Sequence, residues 1–224
     1  MSRYVAFLRA INVGGRVVKM DALRRMFEAI GLSEVETVIA SGNVIFDSTS
    51  KSPAALEKKI EEHLRRKLGY EVSTFLRTPA EMAAVAGYRP FKESELAAPG
   101  NVLYVGFVAE APAAAAKKKL MTWVNDVDEF HIQGREVYWL CRKKFSESKF
   151  SGAQLERTLE MSTTIRNVST VRKIAAKLAL ALVLATVPLA ARAQTPAVGP
   201  AYDTAEGVVR ELYRHVTVEK GQVT

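Results

Sequence analysis

FLRAINVGG, residues 7–15, and ASGNVIF, residues 40–46, are the two stretches of sequence that decide the fold. Each joins an apolar, strand-forming run to a polar turn, Gly14-Gly15 after the first run and Ser41-Gly42-Asn43 before the second. Polar turns at strand ends are places where folds often carry binding groups. The two blocks therefore indicate a sheet and a place to look for a site, although neither contains a reaction motif.

The residues around these blocks alternate between strand and helix patterns. Ser52-Pro53 is typical of a helix start and Gly69 of a helix end. The predicted order is strand, helix, strand, strand, helix, strand, at about residues 4–10, 21–31, 35–39, 43–47, 53–68 and 71–77. This βαββαβ order is that of the ferredoxin-like fold, in which the first and third strands are neighbours.

The same order returns later in the chain. Two prolines and a glycine mark residues 89–100 as a linker, and the strand NVLYVGFV follows at 101–108. We therefore predict an α+β protein with ferredoxin-like halves at 1–88 and 101–178 and a helical or disordered C-terminal extension at 179–224. The duplication is one of pattern, because the halves show no residue-level repeat in sequence.

The strand at 102–108 is apolar on both faces, since Leu103, Val105 and Phe107 alternate with Val102, Tyr104 and Val108. Such strands are normally covered on both sides. An RNA-recognition domain has the same element order but exposes one sheet face with stacking aromatics. The pattern argues against that use of the sheet.

The blocks YVAFLRAINVGG, ASGNVIF and TIRNVSTV together resemble domain-of-unknown-function family 1697, over roughly residues 2–178. The family usually has a glycine where this chain has Ala10 and an aromatic residue where it has Val168. The resemblance implies a bacterial cytosolic protein with two ferredoxin-like halves, and it implies no activity.

Polar residues gather at the strand ends of these blocks, and they are our candidate ligand-binding residues: Arg9, Asn12, Gly14, Gly15, Ser41, Asn43, Arg166 and Asn167. Arginine offers a fork of donors that suits carboxylate or phosphate, and glycine turns let backbone amides approach an anion. The structural alternative is that asparagine and serine satisfy their own turns and that the glycines supply positive φ.

Motifs for cofactors, metals and catalysis are missing from the sequence. It contains neither G-x-G-x-x-G nor a phosphate-binding Gly-Lys-Ser/Thr loop, so we predict no cofactor. His63, His131 and His215 show no metal-ligand spacing, so we predict no metal site. Cys141, in an apolar strand, is expected to pack rather than react, and no catalytic residue can be named.

The net charge of +8 lies entirely within residues 1–178, because four basic and four acidic side chains balance from residue 179 onward. A basic domain suits nucleic acid or another polyanion, whereas a solvated surface is the plainer interpretation. A single cysteine excludes an internal disulfide and fits a cytoplasmic location.

The segment at 171–194 has a basic start, an apolar run and a small-x-small end at Ala191-Arg192-Ala193. This is the pattern of a secretory signal peptide, and the run is too short to span a bilayer. We interpret residues 179–224 as foreign to the domain, joined by gene fusion or a sequence error. The alternative is a genuine C-terminal helix or membrane-surface anchor.

Three functions follow as hypotheses. The first is a domain that binds an anionic ligand or nucleic acid through the strand-end residues. The second is an enzyme that uses Arg9, Asn12 and Asn43 to orient a phosphorylated or carboxylated substrate. The third is a structural or oligomerising module. The sequence does not decide the ligand, the reaction or the oligomeric state.

Overall fold

The computed structural model describes residues 1–39, 42–143 and 147–186, and the chain divides into two compact units, Met1–Val168 and Ser169–Thr224. The first unit contains two four-stranded antiparallel sheets with helices. The predicted α+β class with two ferredoxin-like halves is confirmed.

The first half has the predicted βαββαβ order. Its elements are β1 (Ser2–Leu8), α1 (Met20–Glu28), β2 (Ser33–Thr37), β3 (Asn43–Ser48), α2 (Pro53–Leu68) and β4 (Thr74–Arg77), followed by α3 (Pro79–Gly87). In the sheet, β1 lies between β3 and β4, in the order β2-β3-β1-β4. Ser52 Oγ accepts a hydrogen bond from Ala55 N, and Gly69 ends α2 in the left-handed region with φ of 77°, as the sequence indicated.

The second half repeats this arrangement. The predicted linker contains one helical turn, α4 (Glu93–Leu96), which Arg142 holds through a hydrogen bond to Glu95 at 2.7 Å. The other elements are β5 (Val102–Phe107), α5 (Ala114–Met121), β6 (Asp128–Gln133), β7 (Glu136–Cys141), α6 (Gly152–Leu159) and β8 (Thr164–Asn167). Their sheet has the order β6-β7-β5-β8.

Each sheet buries one face beneath its own helices. In the first half, Phe46 and its neighbours pack with Phe27 of α1 and with Ile60 of α2. In the second half, Trp139 and Val137 pack with Leu155 of α6. Burial of such side chains contributes roughly 1.5–3 kcal/mol each.

The opposite faces of the two sheets meet through Phe7 of β1 and Phe107 of β5, whose rings stack with centroids 3.9 Å apart. Both side chains are fully buried, as are Val105 and Leu103 on the same face of β5. This confirms that the second sheet is covered on both sides and leaves no exposed aromatic platform on that face of β5.

The strand registers reveal equivalences that the sequence does not show. Val5 pairs with Ile45 and Arg77 in the first sheet, and Val105 pairs with Tyr138 and Arg166 in the second. Counting along each strand makes Phe7 equivalent to Phe107, Asn43 to Glu136, and Arg77 to Arg166. The halves are thus related residue by residue at their junction, although the side chains differ.

The second unit is described as far as Thr186, and these residues belong to the helix α7 (Val168–Thr186). The helix continues across residue 178, and the domain limits drawn from the sequence stay a prediction. Ala191-Arg192-Ala193, the predicted cleavage-like site, lies outside the described residues. Through Thr186, no helix is both long and apolar enough to cross a membrane.

Candidate functional site

Arg166 of β8 lies buried between the two halves, and we call its contacts the Arg166 junction. Its Nε donates to Asn43 Oδ1 at 2.6 Å, and its Nη2 donates to the Leu8 carbonyl at 2.9 Å. Its Nη1 donates to Thr164 Oγ1 at 2.7 Å and to the carbonyl of Ile165. Two candidate residues, Asn43 and Arg166, are therefore brought together, as part of the packing between the halves.

Arg77 of β4 makes the equivalent set of contacts with the second half, which we call the Arg77 junction. Its Nε donates to Glu136 Oε1 at 2.6 Å and its Nη2 to the Val108 carbonyl at 3.0 Å. A further Nη2 bond reaches the Arg135 carbonyl, and Nη1 donates to the Leu76 carbonyl. The sequence reasoning did not single out Arg77 or Glu136. The available signal was an arginine at or next to the end of the last strand of each half.

Burial shapes the chemistry of both guanidinium groups. Loss of hydration lowers the pKa of Arg166 to about 10. Burial also lowers the pKa of Arg77, and the nearby carboxylate of Glu136 opposes that shift. Both arginines stay cationic at neutral pH, and each lies near the phenylalanine of the other half, Arg77 over Phe107 at 5.4 Å and Arg166 over Phe7 at 5.9 Å.

Arg9 follows β1 and reaches α6 of the second half. Its Nε and Nη2 bind the two carboxylate oxygens of Glu156, the second at 2.8 Å. Glu156 Oε1 also accepts from Thr163 N at 2.8 Å, so the carboxylate is held in place from both sides. The hydrogen bond to Glu156 raises the pKa of Arg9. This bidentate pair fixes the partly exposed Arg9 side chain.

Asn12 closes the loop at 9–19, which contains the glycine pair. Asn12 Oδ1 accepts from Val18 N at 2.6 Å, and Asn12 Nδ2 donates to the Val18 carbonyl at 3.3 Å. Gly14 and Gly15 lie exposed at the tip with φ of 61° and 80°, and a Cβ at either would meet nothing within 4 Å. The glycines are therefore required by backbone conformation and not by crowding.

Gly42, which precedes the candidate Asn43, and the candidate Asn167 lie on or beside the two sheets. Gly42 has φ of 72°, and a Cβ there would come within 2.9 Å of Ile11 Cβ, so this glycine is needed for close packing. Asn167 pairs with Tyr104 at the end of β8. Ser41 lies outside the described residues.

A cavity of about 340 Å³ lies on the Arg77 side of the first unit, between α3 and the β6–β7 hairpin. It is lined by Glu81, Val85, Tyr88, Gly134, Glu136 and Tyr138 among others. Arg135 Nη2 donates to Glu81 Oε1 at 2.6 Å within this lining. Burial alone would raise the pKa of Glu81, but hydrogen bonds from Thr78 and Arg135 outweigh burial and lower it.

Other titratable groups have structural surroundings. Cys141 is buried, as predicted, and burial raises the pKa of its thiol. Asp128 is also buried and accepts hydrogen bonds from Trp139 Nε1 at 2.8 Å and from Ser148 Oγ at 2.7 Å. Within the described ranges, no group of three or more histidine, cysteine or acidic side chains is placed to hold a metal ion.

Comparison with known proteins gives a family and a fold but no activity. The sequence profile of the family described as "Protein of unknown function (DUF1697)" matches residues 1–138. The third resemblance block, at 164–171, lies beyond that match. No curated protein matches the chain.

Among solved structures, the chain is similar to conserved bacterial protein SP0830 from Streptococcus pneumoniae. The two share 25% sequence identity with a TM-score of 0.62, over 80% of this chain and 99% of that one. The profile match covers more than half of the sequence, and the similar structure spans both halves. The chain therefore belongs to DUF1697, a family of uncharacterised bacterial proteins.

Proposed function

We propose that this protein is a binding domain for nucleic acid and that the loop at 9–19 makes the contact. The observation that carries the proposal is the Gly14-Gly15 tip, which is exposed and held in a left-handed conformation. Backbone amides of such glycines can approach phosphate closely.

The loop is anchored from within, which favours a binding surface over a disordered connection. The side chain of Asn12 makes two hydrogen bonds to the backbone of Val18. The Arg16 guanidinium lies over the Tyr70 ring, 4.0 Å from its centroid. A loop held in this way loses less conformational entropy on binding.

Charge supports the same partner. Arg16 and Lys19 are exposed on the loop, and the chain carries a net charge of +8. Cations close to phosphates release counterions, so binding through them weakens as salt increases. The buried residues Asn43 and Arg166 then act in this proposal by supporting the strand ends, and Arg9 acts as the first residue of the loop.

The test compares two double variants that change the net charge equally. Arg16→Glu with Lys19→Glu alters the loop, and Lys117→Glu with Lys118→Glu alters exposed lysines of α5. We expect a labelled mixed-sequence oligonucleotide to bind the wild type at low salt and to lose most binding only in the loop variant, by fluorescence anisotropy. Equal losses would assign the effect to net charge, and no binding at low salt would disprove the proposal.

The enzyme hypothesis is less well supported by the contacts. It requires Arg9, Asn12 and Asn43 to converge on a substrate beside a titratable group. In the described residues, Asn12 binds Val18 within its own loop and Asn43 binds Arg166 in the junction. These contacts favour a binding domain over an enzyme. The structural role of Asn43 in the Arg166 junction is compatible with a binding domain.

We also propose a cytoplasmic location and a tail, 179–224, that is foreign to the domain. Support comes from the single buried Cys141 and from the signal-peptide pattern at 171–194. Intact-mass measurement of the natural product is the test. A product ending near Leu178 would show that the tail is absent, and one carrying residues to 224 would favour a genuine C-terminal extension.

A further inference from the structure

We propose that the cavity between α3 and the β6–β7 hairpin binds a small, planar, uncharged ligand with N–H donors, such as a nucleobase. This site is separate from the loop at 9–19 and does not depend on nucleic-acid binding there. Its walls come from both halves of the first unit, and sites between substructures are a common location for ligands.

The volume sets the size of the ligand. About 340 Å³ is near the lower end of the roughly 300–1,000 Å³ typical of small-molecule sites. A single ring system fits this space better than a dinucleotide or a long chain.

The walls favour a planar ligand. Tyr88 and Tyr138 line the cavity with ring centroids 4.8 Å apart and planes inclined at 48°. Val85 adds apolar surface, and its carbonyl accepts from the Tyr138 hydroxyl, which fixes that ring. The half-buried ring of Tyr88, supported by the buried ring of Tyr138, offers an aromatic surface that suits stacking with a flat ring.

Glu136 supplies the acceptor. Its Oε1 binds Arg77 Nε, while its Oε2 accepts no hydrogen bond from the described residues. A Cβ on Gly134, which also lines the cavity, would lie 3.7 Å from this second oxygen. An N–H donor on a ligand would bind an oxygen in the cavity lining that accepts from no group in the described residues.

The other half shows that the junction alone does not require this second oxygen. Asn43 occupies the position equivalent to Glu136, and its single amide oxygen accepts from Arg166 Nε at the same 2.6 Å. Glu136 therefore carries, in the lining of the cavity, an acceptor that the contact with Arg77 does not need, and a bound ligand would use it.

Charge balance favours an uncharged ligand. Arg77 and Arg135 are cationic near the cavity, and Glu81 and Glu136 are anionic and paired with them. The four charges sum to zero, so a phosphate or carboxylate gains no net attraction. The interactions that remain to recognise a ligand are ring stacking and hydrogen bonds that the ligand donates.

The test uses adenine and hypoxanthine as probes and caffeine as a planar control without N–H donors. Isothermal titration with the full chain should show both probes binding and caffeine binding at least several-fold more weakly. If neither probe binds at millimolar concentration, or if caffeine binds equally well, the proposal is overturned.

Three variants locate the site. Glu136→Gln keeps an oxygen for Arg77 and replaces the free acceptor with a donor, so affinity should fall on the order of tenfold. Ala84→Tyr fills the cavity from an exposed position of α3 and should abolish binding of the probes.

Glu129→Gln is the control. It alters another carboxylate that is paired with an arginine, on β6, and this variant should bind the probes with unchanged affinity. Unchanged affinity in Ala84→Tyr would overturn the assignment even if Glu136→Gln does not fold.

Discussion

The Arg77 and Arg166 junctions hold the same two sheets together with different chemistry. Each buries an arginine that donates to the carbonyl at the end of the neighbouring half's first strand, Val108 for Arg77 and Leu8 for Arg166. At one junction the Nε partner is the carboxylate of Glu136, and at the other it is the amide of Asn43. The comparison indicates that a buried guanidinium at this position can be held by a carboxylate or by an amide with the same Nε contact.

Removing each arginine is the strongest way to break this comparison. Arg77→Ala leaves a nearly buried carboxylate without its cation, which costs about 3–5 kcal/mol. Arg166→Ala leaves neutral acceptors without donors, which costs about 1–3 kcal/mol. Urea unfolding should therefore show the larger loss of free energy of unfolding for Arg77→Ala.

Two further variants control this experiment. Arg77→Met with Glu136→Met removes the charge and its partner together and should recover most of the lost stability. Arg3→Ala breaks the partly exposed pair with Asp47 and should cost about 0–1 kcal/mol. A greater loss for Arg166→Ala than for Arg77→Ala would contradict the explanation.

The turns that lead into β3 and β7 provide the second contrast. A Cβ at Gly42 would lie 2.9 Å from Ile11 Cβ, whereas a Cβ at Gly134 would approach Glu136 Oε2 only at 3.7 Å. Both glycines have positive φ. Gly42→Ala should therefore combine backbone strain with overpacking, about 2–4 kcal/mol, and Gly134→Ala should show the strain alone, about 1 kcal/mol.

Thermal and urea unfolding of the two glycine variants measure this difference. If the two substitutions cost the same, close packing at Gly42 is not what requires the glycine, and the contrast between the turns fails.

The sequence predicted the parts of this molecule that depend on local chemistry. Ser52, Pro53 and Gly69 correctly indicated the limits of α2, because caps act within a few residues. The equivalence of Arg77 and Arg166 was not visible. It depends on strand register across the sheets, and the contacts that express it link residues as far apart as Leu8 and Arg166.

The candidate site shows the same difference between features that local sequence predicts and features that depend on the fold. Asn43 and Arg166, two of the candidates chosen from strand-end position, are in contact, and their binding of a ligand stays a prediction. Glu136 was not singled out, because a glutamate in a predicted hairpin carries no sign that one of its oxygens lies beside a cavity.

Helices α2 and α6 allow a third test of how the halves differ. Glu61 of α2 accepts from Thr74 N, and Glu156 of α6 accepts from Thr163 N, so the two glutamates occupy equivalent positions in the two halves. Two residues further along each helix, His63 is equivalent to Thr158, and both are buried. Burial, with Lys67 and Arg66 nearby, lowers the pKa of His63.

His63 should make the stability of the first half fall at acidic pH. Between the folded pKa and the unfolded value of about 6.5, the unfolded state binds the proton and the folded state does not, so stability falls as pH falls. His63→Leu should lose less stability than the wild type between pH 7 and pH 5, by urea unfolding at each pH. Parallel pH profiles would show that His63 does not contribute.

The smallest expected effect concerns the ends of β1 and β5. Ala10 has φ of 65°, a left-handed conformation that suits glycine, and the equivalent Glu110 does not have positive φ. Ala10→Gly should relieve about 1–2 kcal/mol of strain and lose about 0.4–1 kcal/mol through greater freedom of the unfolded chain. The difference, a net gain of up to about 1.6 kcal/mol, should appear as a higher urea midpoint. Glu110→Gly, the matched change in the other half, should be neutral or destabilising, and a midpoint that rises equally in both variants would mean that Ala10 is not strained.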